Sequence, residues 1–115
     1  MCGIIGIIGS KPVASRLIDG LRRLEYRGYD SAGLAGVESG KIVACKEVGK
    51  VSALEQEVQK SHLAPELAIA QTRWATHGTV TKLNAHPHFD AQQSLALVHN
   101  GIIENYEVLK KKLQE

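Results

Sequence analysis

Apolar residues arrive first as a run and then as stripes. Ile4, Ile5, Ile7 and Ile8 crowd the stretch from Gly3 to Gly9, which predicts a short, mostly buried strand. Ser10-Lys11-Pro12 then supply a capping hydroxyl and a proline suited to a first helical turn. Val13, Leu17, Leu21 and Leu24 recur at helical spacing with Ile18 beside them, so an amphipathic helix follows. Gly28 and Gly33 break that pattern around Tyr26-Arg27-Gly28-Tyr29-Asp30-Ser31-Ala32-Gly33, a predicted loop rich in turn formers and large polar side chains. Strands are expected from Leu34 to Val37 and from Lys41 to Val48, joined at Glu38-Ser39-Gly40 by a hairpin turn with positive φ at the glycine. Val51, Leu54 and Val58 mark a second short helix. Glu66 to Gln71 and Ser94 to His99 read as further strands. Between them, Thr72 to Gln93 shows little periodicity, and a stretch that long is uncommon in a compact domain unless it has a job. Tyr106, Leu109 and Leu113 line one side of a last helix from Asn105 to Glu115, whose Lys110, Lys111 and Lys112 suit its negative end. Five strands and three helices in this alternation predict a mixed α/β sheet protein. No stop signal follows that helix, so the chain reads as cut there.

At 115 residues the chain is at most one small domain. With aromatics at 4% the core must be mostly aliphatic. A net charge of +2 is too small to argue for nucleic acid or an anionic membrane, and no aromatic-plus-basic patch suggests base stacking. The isoleucine run is too short to span a bilayer and lacks a basic leader, so a cytoplasmic address is expected. Two cysteines make no disulfide scaffold. In a reducing compartment both are thiols. Cys45 lies in a predicted strand with no activating neighbour and reads as structural.

Cys2 is different because it follows the initiator methionine. If Met1 is trimmed, one residue carries both a thiol and a free α-amine. Peptide α-amines titrate at about 7.7–8.0 and thiols at about 8.5, so such an amine can take the thiol's proton near neutral pH. Position alone fits equally well a small buried residue opening a strand. Acyl transfer at an amide also needs oxyanion donors and groups that hold the substrate. Asn100-Gly101, after a predicted strand, offers a side-chain amide and an adjacent backbone N–H; taken alone, the same pair reads as a hairpin turn. Arg73, Thr76 and His77 offer a planar carboxylate-binding fork and further hydrogen bonds, and Trp74 a lid over the site. The bland alternative makes Arg73 a solvated charge and Trp74 a core anchor. His77, His86, His88, His99 and Cys2 could instead be zinc ligands, although their spacing matches no zinc motif.

Together these residues resemble the glutaminase domain of the glucosamine-6-phosphate synthase (glutamine–fructose-6-phosphate aminotransferase) family, over the whole chain. The motifs are Met1-Cys2-Gly3, Leu24 to Gly33, Thr72 to Gly78, Asn84 to His88 and Val98 to Asn105, in that family's order. The resemblance implies an N-terminal-nucleophile αββα sandwich, incomplete in this chain. Residues 1–115 would be the N-terminal part of a class II glutamine amidotransferase domain, with the sugar-isomerase domains absent. It further implies Cys2 as nucleophile with its own amine as base, and Asn100 with the Gly101 N–H as oxyanion hole. Arg73, Thr76 and His77 would hold the glutamine α-carboxylate, Trp74 would belong to a mobile loop, and Arg27 would help orient Cys2. No metal or organic cofactor is implied. The partners implied are L-glutamine and, only through the isomerase domain, fructose 6-phosphate. The full-length family enzyme would be a homodimer. The family's aspartate segment for the substrate α-amine lies beyond Glu115, so the chain alone is expected to be weakly stable and poorly active. The amidophosphoribosyltransferase glutaminases are the nearest rival, but they carry other residues where this chain has Glu25 to Asp30 and Arg73 to Thr76. A non-catalytic remnant and a zinc protein are the rivals from other classes.

Overall fold

The computed structural model describes residues 1–115. The isoleucine run forms β1 (Gly3–Ile8), and the helical stripe forms α1 (Ala14–Leu24), which closes in a 3₁₀ turn at Glu25–Arg27. The hairpin β2 (Ser31–Glu38) and β3 (Lys41–Val48) turns at Ser39 and Gly40, both with positive φ. Two consecutive positive-φ residues match the right-handed twist of the flanking strands. After α2 (Val51–Lys60), β4 (Leu67–Arg73) runs back through the middle of the sheet, which is antiparallel in the order β1-β4-β2-β3. A two-stranded ribbon, β5 (His88–Phe89) with β6 (Ala96–Leu97), and a last helix α3 (Tyr106–Gln114) complete the chain.

Strand alternation splits the sheet into two faces. Ala32, Leu34, Cys45, Ala68 and Ala70 face α1 and α2 and join Val13, Leu17, Ile18, Leu21, Val51, Leu54 and Val58 in one aliphatic core. An ion pair between Arg22 and Glu55 ties the two helices together at their surface. Burial lifts the Cys45 thiol above its ordinary value, as suits a structural cysteine. The opposite face meets the segment from Leu83 to His99. Lys46 reaches from β3 to the carbonyls of Leu83 (3.3 Å) and Pro87 (3.2 Å). Gly33 lies under the His86 carbonyl, which a Cβ at that position would strike at 2.1 Å. Helices, full sheet and partial second sheet thus form successive layers. α3 buries none of its residues, so the fourth layer of an αββα sandwich is only begun.

Four expectations need correction. Ser31, Ala32 and Gly33 are not loop but the buried start of β2, because each pairs with both β3 and β4. Thr72 and Arg73 end β4 rather than open a loop, held there by Gly3 and Ser31. The strand expected from Ser94 to His99 shrinks to Ala96–Leu97, and its partner at His88–Phe89 makes six strands where five were expected. β1 is not mostly buried, because only its face toward the helices is covered: Ile4 is 43% and Ile8 83% exposed. No helix is long and apolar enough to cross a membrane.

Leu17 is fully buried and Ile8 is 83% exposed. Leu17→Ala is expected to cost about 2–5 kcal/mol of stability. Ile8→Ala should stay within about 0.5 kcal/mol. Urea titration followed by circular dichroism measures both; equal losses would refute this placement of the core.

Candidate active site

Antiparallel pairing fixes where the head of the chain lies. Gly3 pairs with Thr72 in the β1–β4 register, so Cys2 comes beside Arg73 and Trp74. The Gly3 N–H donates to Thr72 Oγ1 at 3.1 Å. The Trp74 N–H donates to Cys2 Sγ at 3.3 Å. Gly3 needs its missing Cβ here, since Leu24 at the end of α1 fills that space. Met1 is held at its amine by the Arg27 carbonyl (2.7 Å) and at its sulfur by the Arg27 guanidinium (3.4 Å). Arg27 therefore grips the residue before Cys2, not the thiol itself.

Arg73 is 8% exposed, which rules out a solvated charge. Its guanidinium donates to the carbonyls of His77 (2.7 Å) and Thr79 (3.2 Å) and lies 3.9 Å from Asp30. A buried guanidinium needs such partners, and here they also curl the 74–79 loop around it. Asp30 is a hub the sequence motif contained but did not mark. Its carboxylate accepts from the Ala75 N–H and from Ser31 Oγ, and its backbone N–H donates to the Arg73 carbonyl at 2.7 Å. Trp74 is half exposed rather than a core anchor, and its indole lies over Gly28, where a Cβ would come within 2.9 Å. Thr76 and His77 are exposed on the same loop, and His77 meets the Tyr106 ring edge-on at 5.0 Å between centroids.

Asn100 reaches Cys2 from the segment that follows β6. Its Nδ2 donates to the Cys2 carbonyl at 3.4 Å. Gly101 follows with φ +147°, a conformation that L side chains rarely adopt. Cys2, Arg73, Trp74, Thr76, His77, Asn100 and Gly101 all line one open cavity of about 760 Å³. Of the residues that the resemblance assigns to the site, only Arg27 stands outside it. The volume suits a small ligand.

His86 and His88 also line this cavity, with their rings in edge contact at 4.3 Å. Burial, with the charges of His88 and Arg73 adding to it, pushes the His86 imidazole down to about 4. His88 is lowered as well, first by burial and then by Lys46 and Arg73. Both shifts favour the neutral imidazole, so the one permanently charged side chain lining the cavity is Arg73, with the Asp30 carboxylate 3.9 Å behind it. The neutral His86 Nδ1 accepts from the His99 N–H at 3.3 Å. No three histidine, cysteine, aspartate or glutamate side chains stand close enough together to hold a metal ion.

Known proteins bear on this geometry. No protein-family model matches the chain. It is 52% identical over 113 residues to a glutamine–fructose-6-phosphate aminotransferase of Rhizobium meliloti strain 1021, covering 98% of this chain and 18% of that protein. The same enzyme of Bartonella quintana is 55% identical over 115 residues, and that of Bacteroides thetaiotaomicron 54%, with 19% of each relative covered. The chain thus spans about a fifth of the length of these relatives. Among solved structures it is similar to the glutamine phosphoribosylpyrophosphate amidotransferase of B. subtilis, at 30% identity and a TM-score of 0.82 over 99% of this chain and 25% of that one. A second, an allosteric regulatory enzyme of purine biosynthesis, matches at 31% and 0.81 over the same shares. The architecture is therefore the N-terminal-nucleophile amidotransferase fold, present in part.

As pH falls from about 6.5 to about 4, the unfolded chain takes a proton at His86 before the folded one does, so stability must fall through that window. Asn offers an oxygen where Nδ1 stood. His86→Asn should therefore flatten the decline, leaving the smaller part due to His88; urea midpoints between pH 4 and 7 measure it. An unchanged slope would contradict the burial of this ring.

Proposed function

We propose that the chain is a segment of a class II glutamine amidotransferase of the glutamine–fructose-6-phosphate aminotransferase family and carries the glutamine-cleaving half of that chemistry. Residues 1–115 are then the N-terminal part of the glutaminase domain, with Cys2 as the mature amino terminus. Once Met1 is removed, the Cys2 α-amine takes the thiol proton. Sγ attacks the side-chain amide carbon of L-glutamine, a C–S bond forms, and the carbonyl oxygen becomes an oxyanion. Asn100 Nδ2 and the Gly101 N–H donate to that oxygen. The C–N bond then breaks, the amine returns its proton to the leaving nitrogen, and ammonia departs. Water hydrolyses the γ-glutamyl thioester to glutamate and restores the thiol.

Arg73, with the donors not spent on His77 and Thr79, attracts the glutamine α-carboxylate, and Thr76 and His77 add hydrogen bonds from the loop it organises. Trp74 screens the reacting atoms from water. Arg27 acts before the chemistry, by placing the residue ahead of Cys2. The observation that carries the reading is the meeting of a thiol, an amide donor and a guanidinium in one cavity. With His86 and His88 favouring the neutral form, Arg73 is the one permanently charged side chain that lines it. The ammonia would serve amination of fructose 6-phosphate in an isomerase domain of a longer, homodimeric protein with a cytoplasmic address. Identity of 52–55% to the hexosamine enzymes, against 30–31% to the purine enzymes, supports that destination over phosphoribosyl transfer.

An electrophilic glutamine analogue tests the reading directly. It should modify Cys2 and not Cys45, glutamine should protect, and Cys2→Ala should abolish the modification. Asn100→Ala should lower glutamine hydrolysis by about 10²–10³-fold. A folded chain that takes no label at Cys2 would refute the reading in favour of an inactive remnant.

A further inference from the structure

Gln71 sits in β4 between Ile4 of β1 and Gly33 of β2, at the middle of the sheet. It is 1% exposed. Its Nε2 donates to the backbone carbonyl of His99 at 3.1 Å, while its Oε1 has no partner at all. A buried amide that satisfies only one of its two ends is a costly way to fill space, and an aliphatic side chain of similar size would avoid the cost. The orientation is not free either. A carbonyl only accepts, so the NH₂ end must face His99 and the orphaned oxygen must face away.

The carbonyl it holds belongs to the peptide plane that joins His99 to Asn100. Fixing that oxygen fixes the direction in which Asn100 leaves the ribbon. The N–H of the same His99 donates to His86 Nδ1. Both backbone groups of the residue before Asn100-Gly101 are thus held by side chains from other elements. The ribbon itself ends at Leu97 and holds neither group. His86 is seated in turn, because its carbonyl lies over Gly33, the register partner of Gln71. Asn100 and Gly101 are exposed, and the one side-chain hydrogen bond of Asn100 is a long one, 3.4 Å to the Cys2 carbonyl.

We propose that Gln71 is a positioning residue: through the His99 carbonyl, with His86 closing the other side, it aims the Asn100 amide and the Gly101 N–H at the atom attacked by Cys2. The proposal rests on the glutaminase reading for the word "attacked", and on geometry alone for the clamp. It explains why an unsatisfied amide is kept under the site. It also explains how a two-residue strand delivers a donor pair to a fixed point on another sheet.

Two readouts separate the clamp from general stability. In the folded chain, Gln71→Leu should speed hydrogen exchange at the His99 N–H by about tenfold or more, while amides of the β2–β3 hairpin keep their rates. Gln71→His, which restores a ring N–H donor, should return the exchange toward the parent value. If Gln71→Leu does not fold, Gln71→Glu, which replaces the donor with an oxygen, takes its place in the same comparison. Unchanged exchange at His99 overturns the proposal whatever the activity. For catalysis, Gln71→Leu should lower kcat for ammonia release from glutamine by about 10- to 100-fold with KM little changed. In an Asn100→Ala background it should do almost nothing further, because the residue through which it acts is gone. An equal loss in both backgrounds would make Gln71 merely structural and overturn the proposal. The Cys2→Ala control isolates the other risk: if ammonia release survives it, the glutaminase reading fails, while the exchange data still decide the clamp.

Discussion

Everything at the site depends on the antiparallel register of β1 against β4. That pairing sets Gly3 opposite Thr72, and so delivers Cys2 to the place where β4 runs out at Arg73 and Trp74. A slip of one residue would reverse every side chain of β1 and turn Ile5 and Ile7 out of the core. Aliphatic burial behind the sheet therefore fixes the position of the thiol in front of it. The hydroxyl of Thr72 reinforces the register at its last pair, where the ladder would otherwise fray.

Polar side chains do the corresponding work between the layers. Lys46, Gln71 and Arg73 rise from the face of the sheet away from the helices, and each ends on backbone carbonyls of segments that have little regular structure. Such segments cannot satisfy their own backbone groups, so side chains from a rigid sheet take over. Asp30 does the same for the exit of β4, binding Ala75 and Arg73 at once. The loops that line the cavity are ordered from below, by residues that do not themselves reach it, apart from Arg73.

Much of this was legible in the chain. The isoleucine run, the stripe from Val13 to Leu24 and the Ser39-Gly40 turn each announce an element by local periodicity or turn chemistry. The cavity residues were legible too, as three polar motifs too rich in large side chains for ordinary turns. Less visible was whatever depends on a partner distant in sequence. Ser31, Ala32 and Gly33 look like loop because serine and glycine are poor strand formers, yet they are paired on both sides. The ribbon is too short to show alternation. Gln71 and Lys46 read as ordinary polar positions in strands, since nothing local says that a carbonyl lies above them. Arg27 stood in the right motif but touches Met1, and only three-dimensional geometry distinguishes that from touching Cys2.

The central claim is that one cavity lets the Cys2 thiol form a covalent bond with a substrate acyl group. The most direct measurement is mass spectrometry of the chain, freed of Met1, after exposure to L-glutamine and an acid quench. The account predicts a γ-glutamyl thioester on the amino-terminal cysteine, absent when Asn100→Ala slows its formation. An acyl group on Cys45, or a folded and correctly trimmed chain that carries none, would contradict it.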